Sequence, residues 1–182
     1  GRVPFASGLT LVACSEFESR TKGYADLAAA IRRHVRSASI KSASEELFAR
    51  MVFNIFVSND DDHLRNHGFV FEHRLGGWVL SPLYDVVPRP GHAHERMLHL
   101  EVGDQGKLAT LDNALSRFAA FTAARADAVA LVRRVWGEVR QWKTTFEEHG
   151  ADAKLMGQVS SAFRRLEDIA SPALVAEIRK GQ

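Results

Sequence analysis

A mainly α-helical fold with a single β-hairpin set into it is predicted by three features of the sequence. Apolar residues recur at helical spacing over most of the chain, two short apolar runs flank a Gly76–Gly77 turn, and everything after Thr110 carries a helical pattern. At 182 residues, 46% of them apolar, the chain can bury one good core, so a single domain over 1–182 is expected.

The elements follow in order. GYADLAAAIRRHVR (23–36) reads as a helix, with Leu27, Ile31 and Val35 on one buried stripe. SASIKSAS (37–44) is a polar connector, and Ser42 with Glu45 three residues on is a capping box that predicts a helix start there. Leu47, Met51, Val52, Ile55 and Phe56 carry that helix, which is apolar almost all round and therefore central. SNDDDHLRNHG (58–68) has no apolar period and reads as an ordered polar loop. Phe69–Phe71 and Trp78–Leu80 form the hairpin, followed by an irregular Pro- and Gly-punctuated loop over 81–94. Thr110 is the expected N-cap of LDNALSRFAAF, one helix is expected from Ala124 to about Glu147, and another from Asp152 to Leu166. Ser171 and Pro172 open the last helix. Phe118, Trp136, Trp142 and Phe163 read as packing residues.

Charge narrows the function classes. Basic residues number 24 and acidic ones 22, a formal net charge of +2, which gives no whole-chain footprint for nucleic acid or an anionic membrane. RRHVR (32–36) reads as a solvated helix face. Cys14 is alone, so neither an internal disulfide nor a Cys-based zinc site can form, which fits a reducing cytosol. No run of about 18 uncharged apolar residues and no signal-peptide pattern occurs. A soluble, intracellular protein is the expectation. The opening GRVPFASGL, without Met, reads as a cut beginning.

Polar groups concentrate in two places: Asn59, Asp60, Asp61, Asp62, His63, Arg65 and Asn66 before the hairpin, and Tyr84 and Asp85 after it. A hairpin returns the chain to within ~5 Å of its entry, so both clusters should face one site. Carboxylates gathered in that way call for a cation, and Asp and Asn oxygens suit a hard divalent ion such as Mg²⁺. Protein kinases place an Asn five residues after the catalytic Asp and a metal-binding Asp further on. Asp61 to Asn66 is that interval, Asp60 and Asp62 miss it by one, and Asp85 fills the downstream place. The competing readings are a solvated acidic turn for Asp60–Asp62 and a scaffolding role for the His63 ring. A third is a dinuclear metallohydrolase built from His92, His94 and His99, near Glu95 and Asp104, with His63 and Asp85.

NDDDHLRNHGFVF followed by WVLSPLYDVVP resembles the HipA-like kinase family, as do the flanking GYADLAAAIRR, MVFNIFVSN and LHLEVG. The resemblance implies the C-terminal lobe of a protein-kinase-like fold and an ATP- and Mg²⁺-dependent serine/threonine kinase. It makes Asp61 the catalytic base and Asn66 and Asp85 the Mg²⁺ ligands, with His63 and Tyr84 in support. Arg65 stands where the family has a basic residue, to touch nucleotide phosphate or pair with the Asp cluster. Such kinases are toxins paired with a helix-turn-helix antitoxin, and they phosphorylate proteins of translation. Contact with DNA would come only through that antitoxin, in a bacterial cytoplasm and with no membrane involved. Family members are about twice this length, and no glycine-rich loop, G-x-x-x-x-G-K-[ST] or V-A-I-K-like lysine occurs here. The ATP-gripping N-terminal lobe is therefore expected to lie outside this chain, and the piece alone to be inactive. A non-catalytic interaction module is the alternative of a different class.

Overall fold

The computed structural model describes residues 2–74, 76–91 and 95–180. At its centre lies α3 (Ile40–Val57), whose 18 residues include the fully buried Leu47, Phe48, Met51 and Phe56. From Leu47 onward no residue of this helix is exposed, and it takes neighbours on several sides. α2 (Tyr24–His34) packs on one flank through Leu27 and Ile31, both fully buried, with Val35 just beyond its end. Asp26 accepts the Gly23 N–H at 2.8 Å and so caps the start of α2. α4 (Leu111–Ser116) and α5 (Arg125–Val139) cover the other flank, and Phe48 meets Phe121 with ring centroids 5.4 Å apart.

The expected hairpin is present as β2 (Gly68–Glu72) and β3 (Gly77–Leu80), paired Phe69 to Leu80 and Phe71 to Trp78. Gly76 takes φ +65° in the turn, a conformation that costs glycine little. A third strand, β1 (Phe5–Ser7), adds antiparallel to β2, so the sheet runs β1-β2-β3 and the single-hairpin expectation is corrected. A short helix, α1 (Gly8–Val12), follows at once, with the Ser7 hydroxyl accepting the Thr10 N–H. Gly8 gives its N–H to the His67 carbonyl at 2.6 Å, and any Cβ there would sit 2.7 Å from the Leu64 carbonyl oxygen. β1 and α1 thus brace the back of the polar loop.

Other boundaries also move. α3 begins two residues before the expected capping box, after a 3-10 turn over Ser37–Ser39; Ser42 donates to the Ser39 carbonyl instead. The helix expected over 124–147 breaks at Arg140–Gln141 into α5 and α6 (Trp142–Glu148). Tertiary packing supplies the reason: Trp142 stacks on Phe163 at 4.1 Å and Phe146 meets the same ring edge-on. The helix expected over 152–166 stops as α7 (Ala153–Val159) because 162–164 closes the end of α3. There the Ala162 carbonyl accepts the Ser58 hydroxyl, and the Arg164 N–H reaches the Phe56 carbonyl at 2.8 Å. α8 (Leu166–Ile169) and α9 (Pro172–Arg179) complete the fold, α9 capped by Ser171 as expected. Thr110 likewise caps α4. Phe118, Trp136 and Phe163 pack half-buried against the core. Among the described residues no helix is long and apolar enough to cross a membrane.

Candidate active site

The polar loop starts where α3 ends. Ser58 turns into the left-handed region at φ 55°, and both Ser58 and Asn59 return their N–H groups to the Asn54 carbonyl. Arg89 N–H satisfies the next orphan carbonyl, that of Val57, at 3.2 Å. Helix capping therefore brings the loops on either side of the hairpin together.

Asp62 anchors the loop from inside. It is 1% exposed; one carboxylate oxygen accepts the Tyr24 hydroxyl at 2.6 Å and the other the His99 N–H at 2.6 Å. Tyr24, itself fully buried, receives Asn54 Nδ2 at 2.9 Å, and Asn54 Oδ1 receives Asn59 Nδ2 at 3.1 Å. His67 Nε2 bonds the Asp62 carbonyl at 3.3 Å, and its ring stands edge-on to Tyr24. Five side chains from α2, α3 and the loop thus form one connected network, in which His67 Nδ1 alone has no partner among the described residues. Burial pushes the Asp62 carboxyl up to about 6 against the pull of these donors, and pushes the His67 imidazole down to about 4, with help from the Arg50 charge.

With Asp62 held inside, Asp61 and His63 face outward. Asp61 Oδ2 receives Arg89 Nη2 at 2.8 Å, Asp60 lies 3.3 Å from Arg89 Nε, and His63 Nε2 is 3.9 Å from Asp61 Oδ1. Asn66 donates Nδ2 to the Asp61 carbonyl at 2.7 Å, which ties the two ends of the five-residue interval together. Across the hairpin, the Tyr84 hydroxyl donates to the Arg65 carbonyl at 2.5 Å. That bond joins the loop that carries Asp85 to the loop that carries Asn66. Asp85 is exposed and takes φ 53°, an uncommon conformation for a non-glycine residue, of the kind that gathers at functional sites.

The arrangement can hold a proton acceptor, Asp61, beside hard oxygen donors, Asn66 Oδ1 and the Asp85 carboxylate. That donor chemistry suits Mg²⁺. Among the described residues no three His, Cys, Asp or Glu side chains converge as a metal-holding group. His92 and His94, on which the metallohydrolase reading drew, lie outside the described residues.

The family model of the HipA-like C-terminal domain matches residues 1–145. The chain belongs to the HipA-like C-terminal domain family. In three dimensions it is similar to HipA of Shewanella oneidensis MR-1, solved in complex with HipB and its operator DNA. The TM-score is 0.67 at 13% identity, over 98% of this chain and 44% of that one. The fold is thus the kinase-like fold of HipA, and this HipA-like domain spans less than half of that chain's length. No curated protein matches the sequence.

Three features of the HipA-like site depart from the sequence reading or escaped it. Arg65 pairs with Glu16 across the loop, and the acidic cluster is met by Arg89. The ring that fixes the loop backbone is that of His67, while His63 Nδ1 has no hydrogen-bond partner among the described residues. Asp62 looked like one acid among three, yet it is the internal anchor. The one legible hint was an aromatic hydroxyl, Tyr24, at the start of a helix whose Leu27–Ile31 stripe is apolar.

The Asp62–His67 pair predicts an unusual pH response. Asp62 titrates higher in the fold than its ordinary 3.8, so the native state binds that proton more tightly and this group's stability declines as pH rises from about 4 to about 6. His67 titrates lower than its ordinary 6.5, so its contribution rises over nearly the same window. Each linkage amounts to ~3 kcal/mol, and the two nearly cancel. Removing His67 exposes the Asp62 effect alone. Relative to wild type, His67→Phe is expected to gain ~3 kcal/mol on going from pH 6.5 to 4, read from urea midpoints at both pH values. A difference between the two proteins that does not vary with pH would contradict these assignments.

Proposed function

We propose that this HipA-like domain is the catalytic-loop half of an ATP- and Mg²⁺-dependent kinase that phosphorylates a Ser or Thr hydroxyl on a protein. The observation that carries the reading is the Tyr84–Arg65 bond, which holds the loop bearing Asp61 and Asn66 against the one bearing Asp85. In this reading the Asp61 carboxylate orients the target hydroxyl and takes its proton as that oxygen bonds the γ-phosphorus and ADP departs. His63 and Arg89, flanking Asp61, fix the direction of its carboxylate. Asn66 and Asp85 would hold Mg²⁺, which when bound neutralises phosphate charge.

The grip on the adenine and phosphates is assigned to the part of a HipA protein that this chain does not span, and the domain alone is inactive. The whole protein is a toxin whose partner is a small DNA-binding antitoxin, as HipB accompanies the structurally similar HipA. DNA would be met through that partner, in the bacterial cytoplasm.

The test is transfer of γ-labelled phosphate from ATP by the whole protein. Label on Ser or Thr that disappears when Mg²⁺ is chelated supports the reading. Intact ATP, or transfer indifferent to metal, overturns it.

A further inference from the structure

Beside Asp61 opens a cleft of about 590 Å³, formed where residues 16–20 face the polar loop. His63 belongs to both places: its Nε2 lies 3.9 Å from Asp61, and its ring lines the cleft together with Arg20, Leu64, Arg65 and His99. A target hydroxyl at Asp61 would therefore lead its flanking residues into this cleft.

The charges in the cleft do not balance. Arg65 and Glu16, both in its wall, pair with each other and cancel. Arg20 is exposed and makes no ion pair among the described residues; Lys107, half-buried near His99, makes none either. The His99 imidazole titrates low, through burial first and then through the Lys107 charge, with Arg20 adding to the effect and the Asp61 carboxylate opposing it. Arg20 thus stands in one wall as a cation with no ion-pair partner among the described residues. At the mouth Phe17 is 93% exposed, an apolar ring of the kind that marks a recognition surface, with Leu9 and Leu64 behind it.

We infer that this cleft docks the segment of the protein substrate next to the target hydroxyl and selects an acidic side chain there, its carboxylate meeting Arg20 while an apolar neighbour packs on Phe17. The inference rests on the kinase reading for the placement of the hydroxyl. Charge complementarity at Arg20 supplies the selectivity, through both attraction of an acid and rejection of a base.

The test uses the whole protein and two fluorescent peptides around one Ser, identical except for Glu or Lys on either side of it. By anisotropy the Glu peptide is expected to bind at least tenfold more tightly, and Arg20→Glu to reverse the preference. Phe17→Ala, which leaves charge untouched, should weaken both peptides alike. Equal affinities, or a preference that survives Arg20→Glu, would overturn the docking inference. Phosphate transfer is read in the same samples. Binding preference without transfer would sink the kinase reading and keep the docking site, whereas Asp61-dependent transfer without preference would do the reverse.

Discussion

Asp61→Asn in the whole protein is expected to lower kcat for phosphoryl transfer about 10²- to 10⁴-fold, the usual worth of a positioned general base. Mg²⁺–ATP affinity should stay within about a factor of two, since the base touches the substrate hydroxyl and not the nucleotide. The geometry makes the substitution clean. Asn66 is held by the Asp61 backbone carbonyl, which Asn retains, so the metal-side donor keeps its place. An Asn oxygen can still accept from Arg89 Nη2, and the pairs of Arg89 with Asp60 and Asp61 are half-exposed, so stability should change by under ~1 kcal/mol. Single-turnover rates beside nucleotide titrations would show this split. Equal losses in rate and in nucleotide affinity would instead make Asp61 a binding residue.

The second large effect lies one residue on and concerns stability. Asp62→Ala is expected to cost ~3–5 kcal/mol, a large share of a small domain's total. The carboxylate receives Tyr24 Oη and the His99 N–H at 2.6 Å each, and Ala leaves both donors buried without a partner. Tyr24→Phe takes the hydroxyl donor from Asp62 Oδ2 and also strands Asn54 Nδ2, so ~2–3 kcal/mol is expected there. In the double variant the losses should fall well short of their sum, because the two residues share one bond. Urea unfolding of all three proteins checks this. A loss below ~1 kcal/mol for Asp62→Ala would mean that the carboxylate is not the loop's anchor.

The neighbouring acids Asp61 and Asp62 thus point opposite ways, one outward to the proposed reaction and one inward to the fold. The outward half was legible in the sequence. The five-residue interval to Asn66 and the return of the hairpin to Tyr84 and Asp85 are local patterns, and the Tyr84–Arg65 bond joins those loops as expected. The inward half was not, because Tyr24 and Asp62 are 38 residues apart and no periodicity links them. Arg89 was equally silent, a single basic residue in a Pro–Gly loop that reaches Asp61 across 28 positions.

The fold shows the same division. α2 and the hairpin are set by apolar stripes and a Gly turn, and both formed where their patterns lie. β1 is three residues long, too short for any alternation to be visible, and exists only because β2 offers it an edge. The breaks at Arg140–Gln141 and after Val159 interrupt residues that would continue a helix. Packing of Trp142 on Phe163 and capping of α3 by 162–164 override propensity there.

The role given to Asp85 tests the central claim most directly, because it joins the two loops to one metal–nucleotide site. The measurement is calorimetric titration of Mg²⁺–ATP into the whole protein, wild type against Asp85→Asn. Asp85 is exposed and bears no part of the buried network, so the variant should fold as wild type does. The account predicts at least a tenfold loss of Mg²⁺–ATP affinity in the variant, with metal-free ATP bound equally by both. Unchanged Mg²⁺–ATP binding would separate Asp85 from the metal and contradict the kinase site.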